Sequence, residues 1–98
     1  MNVTKTQNGT ELIAAVEGRL DTLTSPEFEQ EMKGGLSGVT SLVLDFAKLE
    51  YISSAGLRAL LNIKAELNGV AKMKVINANE LVKEVFEVTG FNSIMSIE

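Results

Sequence analysis

Leu42 to Leu61 read LVLDFAKLEYISSAGLRALL, and the change of period inside this stretch decides the fold. Its beginning belongs to a compact aliphatic run, Thr40 to Phe46, of the kind that forms a buried central strand. From Ser54 the apolar spacing becomes helical: Leu57, Leu60, Leu61, Lys64 and Leu67 share one face, and Asn68-Gly69 supplies a stop. Ala47 to Ser53 is read as the connecting loop. A strand leading directly into a helix calls for a further parallel strand, and so for an α/β layer fold built of right-handed crossovers.

Working outward, Asn2 to Gln7 alternates loosely, and Asn8-Gly9 is the signal of a type I′ hairpin. The second strand, Glu11 to Leu20, has an unbroken apolar centre from Leu12 to Val16, which predicts cover on both faces. Gly18 marks its end or a bulge. Thr24-Ser25-Pro26-Glu27 starts a helix from about Pro26, capped by Thr24 or by Ser25. Phe28, Met32 and Leu36 form its inward stripe, and Gly34, Gly35 and Gly38 break the pattern. Lys72 to Ile76 alternates as a strand. Asn79 then caps a third helix carrying Leu81, Val82, Val85, Phe86 and Val88 and closed by Gly90, and Ser93 to Ile97 is a last short strand. Residues 1–98 thus form a single domain, a small mixed β-sheet in the order ββαβαβαβ with an antiparallel opening hairpin. Its working loops are 21 to 25, 47 to 56 and 77 to 80, where strands hand over to helices.

Nine Lys and Arg face thirteen Asp and Glu, a net charge of −4, and the 98 residues include no His and no Cys. That excludes disulfides, thiolate nucleophiles, Cys or His zinc sites and every Ser-His or Cys-His catalytic pair. No G-x-S-x-G and no Walker A loop is present, so a binding module is expected rather than an enzyme, with no cofactor and no metal. Scattered lysines on an acidic chain do not suit nucleic acid or a membrane surface, which leaves protein partners. The N-terminus has no apolar h-region and no run approaches about 18 apolar residues, so a cytoplasmic location is expected. Asp45 is read as a partner for backbone N–H groups rather than a metal ligand, and Met32, Met73 and Met95 as core filler.

The serine pair before Ala55-Gly56 carries the functional signal. One of Ser53 and Ser54 caps the helix, which typically contributes about 1 kcal/mol. The other is left over, beside Gly56, which weakens a first turn by about 1 kcal/mol relative to Ala. A hydroxyl there sits where free N–H groups and the helix dipole favour an anion, phosphate included.

The same stretch closely resembles the signature of the STAS domain, the fold of bacterial anti-sigma factor antagonists, in which a strand ending in Asp runs into a Ser-Ala-Gly-Leu helix start. Gly18-Arg19-Leu20-Asp21-Thr22 followed by Ser25-Pro26 resembles the family's second landmark, and the length and element order agree. The resemblance implies a partner-switching regulator of transcription. Unphosphorylated, such a protein binds an anti-sigma factor that is also a serine kinase and so frees the sigma factor. Phosphorylation prevents binding, and a serine phosphatase reverses it. Aligning Ser-Ala-Gly-Leu puts the phosphoacceptor at Ser54, with Ser53 the alternative. The family often carries an acidic residue just before that serine, where this chain has Ser53. The partner surface implied is Asp21, Thr22, Ser53, Ser54, Ala55, Gly56, Leu57 and Arg58, on a chain expected to be a monomer in isolation. Each of these also has a plainer reading: Asp21 and Thr22 as a turn, Ala55 and Gly56 as close helix packing, Arg58 as a solvated side chain. A competing function is a phosphorylation-independent STAS scaffold or accessory module of a transporter or signalling assembly.

Overall fold

Spatial order follows chain order across the five-stranded sheet, β1-β2-β3-β4-β5. The strands are β1 (Asn2–Asn8), β2 (Glu11–Leu20), β3 (Ser41–Ile52), β4 (Lys72–Ile76) and β5 (Ser96–Ile97), and the helices are α1 (Ser25–Lys33), α2 (Ser54–Glu66) and α3 (Glu80–Thr89). Only β1 and β2 pair antiparallel; β2–β3, β3–β4 and β4–β5 are parallel. This is the expected ββαβαβαβ domain. The computed structural model describes residues 1–67 and 71–98, so the Asn68-Gly69 stop lies outside the described residues.

The opening turn is displaced by one residue from expectation. Asn8 pairs with Glu11, leaving Gly9 and Thr10 as the two central residues, and Gly9 alone has positive φ, +62°. Glycine at the first central position belongs to a type II′ turn, so Asn8 ends β1 instead of entering the turn.

β3 is longer than its aliphatic start. It runs on through Ala47 to Ile52, the segment expected as a loop, with pairing shifts against β2 between Ala15 and Glu17 and between Gly18 and Arg19. Two extra residues on β3 are absorbed as bulges, which breaks strict alternation and hides the strand among Lys48 and Glu50. Gly18 takes φ +105° at the second of these shifts, so it marks a bulge in the β2–β3 pairing and not the end of β2.

Cover on both faces is not found. Leu12, Ala14 and Val16 of β2 are buried, whereas Ile13 and Ala15 are only half-buried, because the helices pack on one face of the sheet. That face meets Phe28 and Met32 of α1, Ala59, Leu60 and Ile63 of α2, and Val82 and Phe86 of α3, all essentially inaccessible. Phe46 stacks on Phe86 at 6.4 Å between ring centroids, and Phe86 on Phe91 at 6.1 Å. Met32, Met73 and Met95 are all buried in this core, as their residue type suggests. Leu61, expected on the inward face of α2, is exposed, and Ile63 takes its place. On α3, Leu81 and Val88 likewise point outward. Phe91 and Met95 turn into the core through a 3₁₀ turn, Phe91–Ser93, so β5 starts at Ser96 rather than Ser93.

Candidate functional site

Bulged β3 delivers the chain to α2 with a single residue between them. Ser53 is extended, at φ −99° and ψ 178°, and its backbone N–H donates to the Leu20 carbonyl at 2.8 Å. Its Oγ accepts from the Gly56 N–H at 3.4 Å, which makes Ser53 the N-cap of α2. Ser54 is therefore the first helical residue, its side chain exposed and unused by the cap.

Gly56 is buried where α2 crosses the ends of β2 and β3. A β-carbon there would lie 2.6 Å from Ile52 Cγ1 and 2.9 Å from the Leu20 carbonyl oxygen. The small residue thus serves helix-to-sheet packing, not clearance for a partner. Leu57 also points inward, at 6 % exposure. Of the eight residues expected on a partner surface, Gly56 and Leu57 are buried.

The Leu20 end of β2 leads into a tight turn. Asp21 Oδ1 accepts from the N–H of Leu23 at 3.0 Å and of Thr24 at 3.1 Å, while the Asp21 carbonyl accepts the Ser25 N–H at 2.9 Å. Thr24 occupies the N-cap position of α1 without capping it; its hydroxyl donates to the Arg19 carbonyl at 2.7 Å and accepts from the Asp21 N–H at 3.0 Å. Asp21 is a turn organiser for this reason. The Thr24 backbone N–H above all holds its carboxyl below the usual carboxylate range, against desolvation and with help from the Leu23 N–H, the Thr24 hydroxyl and nearby Arg19.

The two helix starts face each other across a groove of about 390 Å³ lined by Thr22, Ser25, Pro26, Glu29, Ser54, Ala55 and Arg58. Thr22, Ser54, Ala55 and Arg58 are among the residues expected at the site; Ser25 and Pro26 enter the sequence reading only as a helix start and part of the family's second landmark, and Glu29 carries no signal there. Ser25 is 3 % exposed and its Oγ has no hydrogen-bond partner among the described residues. Leu23 beside the groove is 87 % exposed, the most exposed large apolar side chain among the described residues. The only signal it leaves in the sequence is a leucine between two threonines in a turn.

Asp45 lies away from this groove. Its Oδ1 accepts from the Ala47 N–H at 3.0 Å and from Asn77 Nδ2 at 3.1 Å, so it ties the β3 bulge to the β4–α3 loop. Asn79 caps α3, accepting from the Val82 N–H at 2.8 Å, and donates to the Leu49 carbonyl at 3.1 Å. Among the described residues, no helix is long and apolar enough to cross a membrane.

Residues 2–98 match the STAS domain family. The chain belongs to that family. A STAS relative, the Bordetella bronchiseptica protein BtrV, assigned as an anti-sigma factor antagonist, is 35% identical over 88 residues, 88% of this chain and 76% of the relative. An anti-sigma factor antagonist from Mycobacterium paratuberculosis has the same fold, with TM-score 0.89 at 20% identity over 98% of this chain and 83% of its own. The antagonist SpoIIAA in its unphosphorylated form matches with TM-score 0.84 at 19% identity, covering 99% of this chain and 88% of its own. The phosphorylated form of this Bacillus protein matches with TM-score 0.74 at 18% identity, covering 99% of this chain and 91% of its own. The structural likenesses agree with the STAS assignment at the level of fold.

Proposed function

We propose that this STAS domain is an anti-sigma factor antagonist that binds an anti-sigma factor with serine kinase activity, and that phosphorylation of Ser54 prevents the binding until a phosphatase reverses it. The carrying observation is the division of labour in the serine pair. Ser53 is committed to the cap of α2, while Ser54 offers an exposed hydroxyl one residue on, beside an open groove. The relationship to BtrV supports the antagonist role.

The switch acts at the surface. Phosphate brings about −1.5 to −2 charge to the N-terminus of a helix, where the dipole and free N–H groups tolerate it, so the domain stays folded. Its effect is felt across the interface, where charge and bulk oppose a partner shaped to the unmodified groove. Exposed Leu23 and Thr22 lie beside it as further contact surface. The domain itself supplies no catalytic group in this scheme; the chemistry is the partner's.

Binding to the cognate kinase, with and without ATP, tests this reading. The unmodified chain captures an ATP-binding partner, ATP adds one phosphate at Ser54, and Ser54→Ala abolishes the labelling. Label on Ser53 would overturn the assignment of the site. A Ser54→Asp chain bound as tightly as wild type would mark a phosphorylation-independent STAS module instead.

A further inference from the structure

We propose that a phosphoryl group on Ser54 is received by this chain's own groove between α1 and α2, with Arg58 as its counter-ion and the Ser25 hydroxyl as a second donor. The inference rests on the proposed function only for the identity of the modified serine. Transfer of the γ-phosphoryl group from ATP forms the Ser54 Oγ–P bond, breaks the β,γ P–O bond and releases ADP and the hydroxyl proton. The phosphate so formed stands on the first turn of α2, in the wall of the groove.

Ser54 and Arg58 are four residues apart on α2, so they are neighbours on one helix face, and both line the groove. Arg58 is exposed and makes no ion pair or side-chain hydrogen bond among the described residues, a state it shares with Lys64, Lys72 and Lys83, but of these four only Arg58 lines the groove. Its planar fork of N–H groups matches phosphate oxygens in a way a point charge does not.

The second observation is independent of α2. Ser25 forms part of the opposite wall, at 3 % exposure, and its Oγ has no partner among the described residues. A buried hydroxyl without a hydrogen bond is unfavourable, and because Ser25 lines the groove, a phosphate oxygen there offers it an acceptor. Both α1 and α2 begin here, so two positive helix ends meet at the same place. Of the acids nearby, Glu29, in the groove wall, has Lys33 Nζ 3.6 Å from its carboxylate, Asp21 is tied to the N–H groups of Leu23 and Thr24 with Arg19 at 4.0 Å, and Glu27, in the first turn of α1, is exposed and does not line the groove. An incoming phosphate therefore meets one uncommitted cation and one uncommitted hydroxyl.

The consequence is regulatory. Phosphorylation fills the groove and withdraws Arg58 from any partner, and Arg58 sets how readily the phosphate is pulled out for hydrolysis.

The test uses the full chain with phosphoserine installed at position 54 during translation, titrated by ³¹P NMR. In wild type the second pKa of the phosphate falls below its ordinary value of about 6. Arg58→Gln raises it by about half a unit or more, and Arg58→Lys, which keeps the charge, returns most of the shift. Phosphorylation raises the Tm of wild type by more than that of Ser25→Ala. Equal titration of wild type and Arg58→Gln, or an equal Tm gain in wild type and Ser25→Ala, overturns the proposal. Because no kinase is involved, a kinase that ignored Ser54 would sink the proposed function and leave these results unchanged.

Discussion

Gly56 is seated on Leu20: any β-carbon at position 56 would lie 2.9 Å from the Leu20 carbonyl oxygen and 3.0 Å from its Cβ. The same carbonyl accepts the Ser53 N–H at 2.8 Å, so one backbone atom of β2 sets both the cap of α2 and the depth of its first turn. The Asp21 turn comes immediately after it in the chain. Contact between the two halves of the candidate site is thus made through main chain, which cannot yield as a flexible side chain does.

Gly56→Ala is accordingly expected to destabilise the fold. Helix propensity favours Ala by about 1 kcal/mol, but overpacking against a fixed carbonyl and Ile52 outweighs it, for a net loss of about 1–2 kcal/mol. Urea unfolding at equilibrium measures it. Had Gly56 served only to clear a partner, the substitution would stabilise the isolated chain.

The serine pair separates by stability. Ser53→Ala removes the acceptor of the Gly56 N–H, a 3.4 Å bond at the long end of the range, and costs about 0.5–1 kcal/mol. That is a fall of several degrees at about 4–8 °C per kcal/mol for a domain of this size. Ser54→Ala alters an exposed side chain and stays within about 0.5 kcal/mol of wild type. Thermal melts of the two variants side by side decide it, and equal losses would mean that the cap is shared.

Much of the fold is legible in the chain itself, because the signals are local. The helical period from Ser54, the Asn79 cap and the Phe28, Met32 and Leu36 stripe each lie within a few residues of their consequence. Ala47 to Ile52 is not legible as strand, since two bulges space the buried Phe46, Leu49 and Ile52 three residues apart instead of two. At the candidate site, the segments around Ser54 and Asp21 stand out by residue type, but no local pattern says that Gly56 packs on Leu20. Nor does any pattern say that Ser25, 29 residues before Ser54, forms the facing wall of its groove. Those are long-range contacts, made only when β2 and β3 lie side by side.

Acid should loosen the Asp21 turn selectively. The Asp21 carboxyl is held below its unfolded value, so it contributes stability that is present above the ordinary Asp pKa of about 3.9 and is lost as pH falls through the lower folded value. The stability difference between wild type and Asp21→Ala is therefore largest near neutral pH and shrinks below about pH 4. Urea titrations at a series of pH values measure it. A difference that stays constant through that window would mean that the turn does not depend on the ionised carboxylate.

Ser25→Ala should do the opposite of an ordinary polar deletion in a helix start. The hydroxyl is buried with no partner, so the unmodified chain carries its desolvation cost without a hydrogen bond in return. Ala leaves a hydrogen where the hydroxyl was, which removes that cost and, with Thr24 rather than Ser25 in the cap position, takes no cap away. The unmodified chain is expected to gain about 0.5–1 kcal/mol, read as a higher urea midpoint at unchanged m-value. A loss of similar size would show that the hydroxyl is already bonded in the unmodified protein, by water or by a shifted turn. The expected gain matters because it would come from the one buried, unpaired hydroxyl among the described residues that lines the groove of the exposed Ser54.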